Sequence, residues 1–158
     1  MGIYDKKPIV IWDIDGTLAN IDHRRAWVDG SKGYKDFDKF YDLMVEDPPY
    51  IDMVGMCNMQ HLNTWTIFFC TGRPESYRQQ TEQWLKDHGV LAALKDINLL
   101  MRPDKLRYKP DFVIKEQMMN DLHEAGYEIH MVWEDRDQAC KMWRSHGLRC
   151  VQVAPGNF

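Results

Sequence analysis

Short apolar runs alternate with longer amphipathic segments along the chain. Three of these runs, Pro8 to Trp12, Thr66 to Cys70 and Ile129 to Trp133, are rich in Ile, Val and aromatic residues. Runs of this kind are typical of β-strands that are covered on both faces. Two weaker runs, Ile97 to Met101 and Cys150 to Val153, predict two further strands.

Amphipathic patterns predict helices between these strands. The clearest helix runs from Pro74 to His88, because proline favours a first helical position and glycine follows at the end. Further helices are predicted from about Pro110 to Ala125 and from Arg136 to His146. The predicted inward face of the Pro110 helix is Ile114, Met118, Leu122 and Ala125. Strands alternating with helices predict an α/β fold, a Rossmann-like parallel sheet flanked by helices, with ligands at the carboxyl ends of the strands.

The segment from about Asn20 to Asp47 interrupts this alternation and is long for a simple connection. It combines many charges with the aromatic residues Trp27, Tyr34, Phe37, Phe40 and Tyr41. We interpret it as a small helical cap inserted after the first strand. Aromatic residues in such a cap most often form a core, although they can also stack on a nucleic-acid base.

Two sets of sulfur-containing residues fit a buried role. Met53, Met56 and Met59 recur every third residue on a predicted helix from Ile51 to Leu62, and we expect them to lie in the core. The four cysteines show no C-x-x-C pair, and two of them lie in strongly apolar runs. We therefore expect buried free thiols and a reduced, cytoplasmic setting.

Composition places the chain among ordinary globular proteins. The 158 residues, 44% hydrophobic and 28% charged, predict one domain over residues 1–158. A formal net charge of −4 gives no overall attraction to nucleic acid, so a polyanion would need a local cluster of Arg and Lys. No apolar stretch approaches the roughly 20 residues that span a bilayer. We expect neither a signal peptide nor membrane attachment.

Two carboxylates follow the first predicted strand. Asp13 and Asp15 flank Ile14 and precede Gly16, whose turn lets both acids reach one loop surface. A hard cation such as Mg²⁺ would relieve their repulsion and neutralise a phosphate bound beside them. One carboxylate could then attack phosphorus while the other transfers a proton. A solvated turn or a calcium loop is the alternative that this short motif leaves open.

Later strand ends carry chemistry of the same kind. The hydroxyl of Thr71, the backbone of Gly72 and Arg73 follow the second strong strand and predict an anion site. Glu134 and Asp135 follow the third strong strand and supply a second acidic pair. Their alternative role is to begin the next helix. Lys115, on the Pro110 helix, could reach phosphate as a point charge or could be a solvated helix residue.

These residues resemble, in order, the four motifs of the haloacid dehalogenase-like (HAD) hydrolases, at Asp13/Asp15, Thr71, Lys115 and Glu134/Asp135. The resemblance implies a phosphoaspartyl mechanism. Asp13 would attack phosphorus, and Asp15 would protonate the leaving oxygen and then activate water. Thr71 and Lys115 would hold the phosphoryl oxygens.

The same resemblance implies a Mg²⁺ site. Its ligands would be the carboxylate of Asp13, the main-chain carbonyl of Asp15 and the carboxylate of Asp135. Glu134 stands where close relatives often have aspartate. Whether Glu134 binds the metal directly or through water stays open at this point.

A narrower resemblance is to the 3′-phosphatase domain of phage polynucleotide kinase-phosphatases. It is carried by Arg24, Arg73, Asp111, the pair Met101-Arg102 and the ending EDR…MWRSHGLRCVQVAPGNF. It implies that Arg24 and Arg73 contact substrate phosphate or act in the active site, and that Asp111 orients Lys115 or Arg73. As alternatives, Arg24 could lie on the cap surface and Asp111 could favour a helix start. The stretch from 103 to 110 departs from that family's acidic-basic pattern.

The resemblance implies removal of a terminal 3′ phosphate from nucleic acid or nucleotides. A 5′-nucleotidase acting on free nucleoside monophosphates is the alternative. A receiver-like module or a catalytically silent nucleotide-binding module is the alternative from another class. The chain has no G-x-x-x-x-G-K-[ST] loop, so we expect a phosphatase without a kinase half. The expected partner is a phosphorylated nucleotide or nucleic-acid end, without an obligate protein partner.

Overall fold

Five parallel strands form the central sheet of the computed structural model, which describes residues 7–92 and 95–158. The strands are β1 Lys7–Trp12, β2 Thr66–Pro74, β3 Asn98–Arg102, β4 Tyr127–Glu134 and β5 Cys150–Gln152. Their order in the sheet is β3-β2-β1-β4-β5. The prediction of an α/β fold with a parallel sheet is confirmed, and all five predicted strands are present.

Within the described part of the chain, six α-helices connect or flank these strands. They are α1 Asp22–Arg25, α2 Phe37–Asp42, α3 Ile51–Leu62, α4 Arg78–Asp87, α5 Asp111–Glu124 and α6 Asp137–Ser145. The predicted start of α4 at Pro74 is wrong. Pro74 has an extended backbone and pairs with Arg102, so it ends β2, and a 3-10 turn separates it from the helix.

Both faces of the sheet are buried because consecutive residues of each strand point to opposite sides. Ile9 and Ile11 pack on the side of α5 and α6, whereas Val10 and Trp12 pack on the side of α3 and α4. On α5, Ile114, Met118 and Leu122 are buried as predicted, but Ala125 is exposed just beyond the end of the helix. This double burial explains why the strand segments lack polar alternation.

The expected methionine stripe on α3 does not form part of the core as a whole. Met53 is half-buried, whereas Met56 and Met59 are 43% and 59% exposed. At 3.6 residues per turn, six residues of separation place Met59 about 120° around the helix from Met53. Val54 and Cys57 occupy the buried face instead. All four cysteines are buried and free, as expected.

The segment predicted as a cap contains α1, α2 and a 3-10 turn at Leu43–Glu46. Its core consists of Ile21, Phe40 and Tyr41, with Trp27 and Phe37 partly buried against it. Tyr34 is 58% exposed and does not share this packing role. Within residues 7–92 and 95–158, no helix combines the length and apolar character needed to cross a membrane.

Candidate active site

Three acidic side chains meet at the carboxyl ends of β1 and β4. Asp13 directly follows β1, Glu134 ends β4 and Asp135 follows it, and the two strands are neighbours in the sheet. Carboxylate oxygens of the three residues lie within 4.8 Å of one another, and all three residues are buried. Parallel pairing therefore brings together acids that are about 120 positions apart in the chain.

Lys115 of α5 is the cation at the centre of this acidic group. Its Nζ lies 2.9 Å from Asp13 Oδ1, 2.7 Å from Glu134 Oε2 and 3.0 Å from Asp111 Oδ2. Burial alone would lower the pKa of Lys115, but these carboxylates hold it well above its ordinary value. Lys115 is therefore charged, and Asp111 holds it in place, which is one of the two roles suggested for Asp111.

Negative charge remains in excess around this lysine. Burial and the neighbouring Glu134 raise the pKa of Asp13 to about 7. Burial, Asp13 and Glu134 raise the pKa of Asp135 to about 10. A divalent cation bound here would remove this excess, because oppositely charged neighbours favour ionised carboxylates.

The hydrogen bonds of the cluster identify the oxygen that is left for a metal. Asp135 Oδ1 is buried without a hydrogen-bond partner in the described residues. Both oxygens of Glu134 are engaged: Oε2 accepts from Lys115, and Oε1 accepts from the backbone N–H groups of Asp135 and Arg136. An all-oxygen set of this kind suits Mg²⁺. The residues present therefore fit the metal that the family resemblance implies, and Asp135 offers the freer oxygen.

The loop after β1 allows a close approach between Gly16 and Asp135. Gly16 has φ +84°, and a Cβ atom at this position would lie 2.0 Å from Asp135 Oδ2. Thr17, the residue after it, donates a hydrogen bond from Oγ1 to Asp13 Oδ2 at 3.0 Å. No role is predicted for Thr17 from the sequence, although its place in the D-x-D-G-T segment, four residues after Asp13, could have indicated this contact. Lys115 and Thr17 thus each hold one oxygen of Asp13.

Asp15 faces a different set of partners. Its Oδ1 accepts hydrogen bonds from Arg24 Nη2 at 2.8 Å and from Arg73 Nη2 at 2.6 Å. Burial alone would raise the pKa of Asp15, but the two guanidinium groups hold it well below its ordinary value. The side chain of Asp15 is therefore bound to arginines and lies outside the acidic cluster. Its expected link to the metal is through its main-chain carbonyl.

Asp47 is a buried partner of the same two arginines that the sequence did not reveal. Arg24 Nε donates to Asp47 Oδ1 at 2.7 Å, and Arg73 Nη2 donates to Asp47 Oδ2 at 3.3 Å. His23 Nε2 lies 2.8 Å from Asp47 Oδ1, and the side chain of Asp47 is fully buried. The prolines that follow Asp47 mark only the end of the cap, so no local signal could have identified it. Two carboxylates and two guanidiniums form one closed network.

The structure places Arg24 and Arg73 in the interior of the domain. Both residues are 0% exposed, and neither lines the cavity described below. Their guanidinium groups lie one layer behind Asp15. The alternative of a surface position for Arg24 on the cap is wrong.

Thr71 and Gly72 follow the apolar part of β2, as predicted, and β2 is the neighbour of β1 in the sheet. Thr71 is fully buried, and its Oγ1 accepts a hydrogen bond from the N–H of Arg73 at 3.2 Å. The carbonyl of Gly72 accepts from Tyr41 Oη at 3.1 Å and from Arg102 Nε at 2.8 Å. A Cβ atom on Gly72 would lie 2.1 Å from Asp111 Oδ1. A larger residue at this position would therefore displace the side chain of Asp111.

A cavity of about 350 Å³ opens over Asp13, Asp15 and Lys115. The cap covers one side, and the loop between β3 and α5 covers the other. The outer wall combines aromatic and basic side chains, which include Lys35, Phe37, Arg107, Tyr108, Lys109 and Arg136. The inner end is acidic and the outer wall is basic, an arrangement that suits a phosphate ester bound beside a cation.

Comparisons with known proteins identify the family of this domain. Residues 7–158 match the family model described as "Polynucleotide kinase PNKP phosphatase domain". The protein named "Putative bifunctional polynucleotide kinase/RNA ligase" of Autographa californica nuclear polyhedrosis virus is 25% identical over 142 residues, which are 89% of this chain and 18% of the viral protein.

Solved structures of similar fold include two phosphatase-related chains. A chain from the structure of the Pnkp1/Rnl/Hen1 RNA repair complex aligns with a TM-score of 0.79 and 25% identity, over 98% of this chain and 45% of that one. A class C acid phosphatase from Bacillus anthracis aligns with a TM-score of 0.66 and 16% identity, over 97% of this chain and 68% of that one. This second likeness shows the fold alone.

The chain spans less than half the length of the Pnkp1 chain and about a fifth of the viral protein. The family model nevertheless covers the whole sheet and every candidate residue of the site. The chain therefore belongs to the PNKP phosphatase family and is a phosphatase domain of the HAD type.

Proposed function

We propose that this domain is a Mg²⁺-dependent phosphomonoesterase that removes the 3′ phosphate from polynucleotide ends through an aspartyl-phosphate at Asp13. The observation that carries the proposal is the position of Asp13. It lies at the acidic end of a cavity whose outer wall is basic and aromatic, within a domain of the PNKP phosphatase family.

The carboxylate of Asp13 is fixed in orientation, as a nucleophile requires. Its Oδ1 is bound by Lys115 and its Oδ2 by Thr17, so the carboxylate has a fixed orientation. Fixing the attacking atom removes much of the entropic cost of reaching the transition state. Lys115, the backbone at Gly72 and the hydroxyl of Thr71 are the groups that we assign to the phosphoryl oxygens.

We assign the metal to the carboxylates of Asp13 and Asp135 and to the main-chain carbonyl of Asp15. We assign Glu134 to orienting Lys115 instead, since its two oxygens already accept three hydrogen bonds from protein donors, whereas each oxygen of Asp13 accepts one. Mg²⁺ in this place would offset the charge of an incoming phosphate and favour ionised Asp13.

Asp15 has the two proton-transfer roles in this proposal. Arg24 and Arg73 favour its ionised form, which suits the second step, in which Asp15 activates water to hydrolyse the aspartyl-phosphate. The first step needs Asp15 to deliver a proton to the leaving oxygen. Substrate binding must then offset part of the stabilisation that the two guanidiniums give to the carboxylate.

The polynucleotide end is favoured over a free nucleotide by the family and by the outer wall. A strand brings further phosphates beyond the one that is cleaved, and the basic side chains on the outer wall suit them. The Pnkp1 relative occurs in a complex with Rnl and Hen1. In this chain the residues that we assign to catalysis all come from the domain itself, so we expect activity without a protein partner.

A matched substrate panel tests the proposal. The substrates are one oligonucleotide with a 3′ phosphate, the same oligonucleotide with a 5′ phosphate, and the 3′- and 5′-nucleoside monophosphates. We expect the highest kcat/KM on the 3′-phosphorylated oligonucleotide and no turnover by Asp13→Asn. EDTA should abolish the activity of wild type, and added Mg²⁺ should restore it. A preference for 5′-nucleoside monophosphates would contradict the substrate assignment and favour a 5′-nucleotidase. Turnover by Asp13→Asn would contradict the mechanism.

A further inference from the structure

An exposed aromatic side chain lies at the rim of the active-site cavity. Tyr108, in the loop between β3 and α5, is 84% exposed and lines the same cavity as Asp13. Its ring contacts Phe37 of α2 in an edge-to-face arrangement, with centroids 6.4 Å apart and an interplanar angle of 77°. Most of the surface of the Tyr108 ring is therefore open toward solvent and the cavity.

The loop that carries Tyr108 is held in place from below. Arg102 is only 5% exposed, and its Nη1 donates hydrogen bonds to the carbonyls of Leu106 at 3.3 Å and Lys109 at 2.5 Å. An ion pair between Arg107 and Asp38 joins the same loop to the cap. Because the loop is already ordered, a ligand that contacts Tyr108 has little ordering entropy to overcome.

Unpaired basic residues accompany this aromatic ring. Lys109 follows Tyr108 directly, and Lys35 lies on the cap side of the cavity. Neither lysine forms an ion pair with any residue in 7–92 or 95–158. An open aromatic ring next to free cations matches a nucleotide chain, whose bases stack on aromatic rings and whose phosphates attract lysine.

We propose that Tyr108 is the stacking platform for the base of the nucleotide that carries the scissile phosphate, with Lys109 binding the phosphate of the strand that leads to it. This inference rests on the proposed function: Tyr108 would bind the terminal nucleotide, and Lys109 would favour a strand over a free nucleotide. The cavity of about 350 Å³ is at the small end of the range for ligand pockets, so it suits one nucleotide. Stacking tolerates every base, so Tyr108 gives affinity for nucleotides without sequence preference.

The test compares three substrates: a 3′-phosphorylated oligonucleotide, the same oligonucleotide with an abasic terminal nucleotide, and glycerol phosphate, which has no base. Tyr108→Ala should raise KM for the intact oligonucleotide about tenfold, the typical loss for one base stack. Tyr108→Phe should retain the wild-type KM because it keeps the ring. For wild type, KM should be higher by the same factor on the abasic substrate. Tyr108→Ala should not raise the KM for that substrate any further.

Tyr34→Ala is the matched control. Tyr34 is an aromatic residue of the cap that is 58% exposed and does not line the cavity, so its removal should leave every KM unchanged. An unchanged KM of Tyr108→Ala on the intact oligonucleotide would overturn the inference, as would an equal loss on glycerol phosphate. Failure of wild type to cleave the oligonucleotide while it cleaves glycerol phosphate would instead contradict the proposed function.

Discussion

Replacement of Asp47 should destabilise the domain more than replacement of any surface carboxylate. The side chain is fully buried and neutralises Arg24 and Arg73, whose guanidinium groups are also fully buried. Without it, the two arginines share the single carboxylate of Asp15. Burial of a charge without its partner is costly because the interior cannot solvate it as water does.

The expected magnitude follows from this geometry. Removal of one partner from a buried ion pair costs about 3–5 kcal/mol, and we expect Asp47→Ala to lie in that range. Asp47→Asn keeps an acceptor oxygen for the guanidiniums but loses the charge, so we expect about 2 kcal/mol. A wild-type stability of about 10 kcal/mol, in the middle of the range for typical domains, would leave both variants folded at room temperature.

Urea unfolding followed by circular dichroism measures these losses. Asp22→Asn is the matched control, because Asp22 pairs with Arg25 at 3.1 Å and its side chain is 64% exposed. A surface pair of this kind contributes about 0–1 kcal/mol. A loss for Asp47→Ala no larger than that of the control would refute the view that Asp47 is the essential countercharge of the two arginines.

Three further predictions concern the charged groups of the site. Arg24 and Arg73 hold the folded-state pKa of Asp15 below its ordinary value of about 3.9. The stability that ionised Asp15 contributes is therefore complete above about pH 4 and is lost as the pH falls through the folded-state pKa. The difference in unfolding free energy between wild type and Asp15→Asn should therefore narrow below about pH 4; a constant difference would be inconsistent with the pairing. Mg²⁺ at about 100 times its Kd should stabilise wild type by about 2.7 kcal/mol in thermal unfolding, and Asp135→Asn should remove this gain; an equal gain in both would place the metal elsewhere. Gly16→Ala should weaken Mg²⁺ binding measured by calorimetry, because its Cβ would lie 2.0 Å from Asp135 Oδ2; wild-type affinity would show that the loop relaxes without displacing the acid.

The sequence predicts well those features that depend on neighbouring residues. Buried strands appear as continuous apolar runs, and Asp13, Thr71 and Glu134 stand at or just after the ends of those runs. Parallel pairing then brings these ends to one edge of the sheet. The α/β fold and the meeting of the acids follow from local pattern and from one rule of topology.

Features that depend on long-range packing are not visible in the sequence. The closed network of Asp15, Arg24, Asp47 and Arg73 joins four separate segments, and nothing near Asp47 marks it as buried. The same limit explains why the sequence leaves two roles open for Arg24 and Arg73, contact with substrate phosphate or another role in the active site, and does not reveal their pairing with Asp15. The exposed Met56 and Met59 show that regular spacing alone does not determine which helix face is buried.

Identification of the phosphorylated residue tests the proposed mechanism most directly. Rapid mixing of the enzyme and Mg²⁺ with a 3′-[³²P]phosphorylated oligonucleotide, followed by acid quenching and borohydride reduction, converts an aspartyl-phosphate into homoserine that mass spectrometry can locate. We predict transient labelling of the protein and homoserine at position 13, with neither in Asp13→Asn. Release of phosphate without any labelled enzyme, or labelling at another residue, would contradict the assignment of Asp13 as the nucleophile.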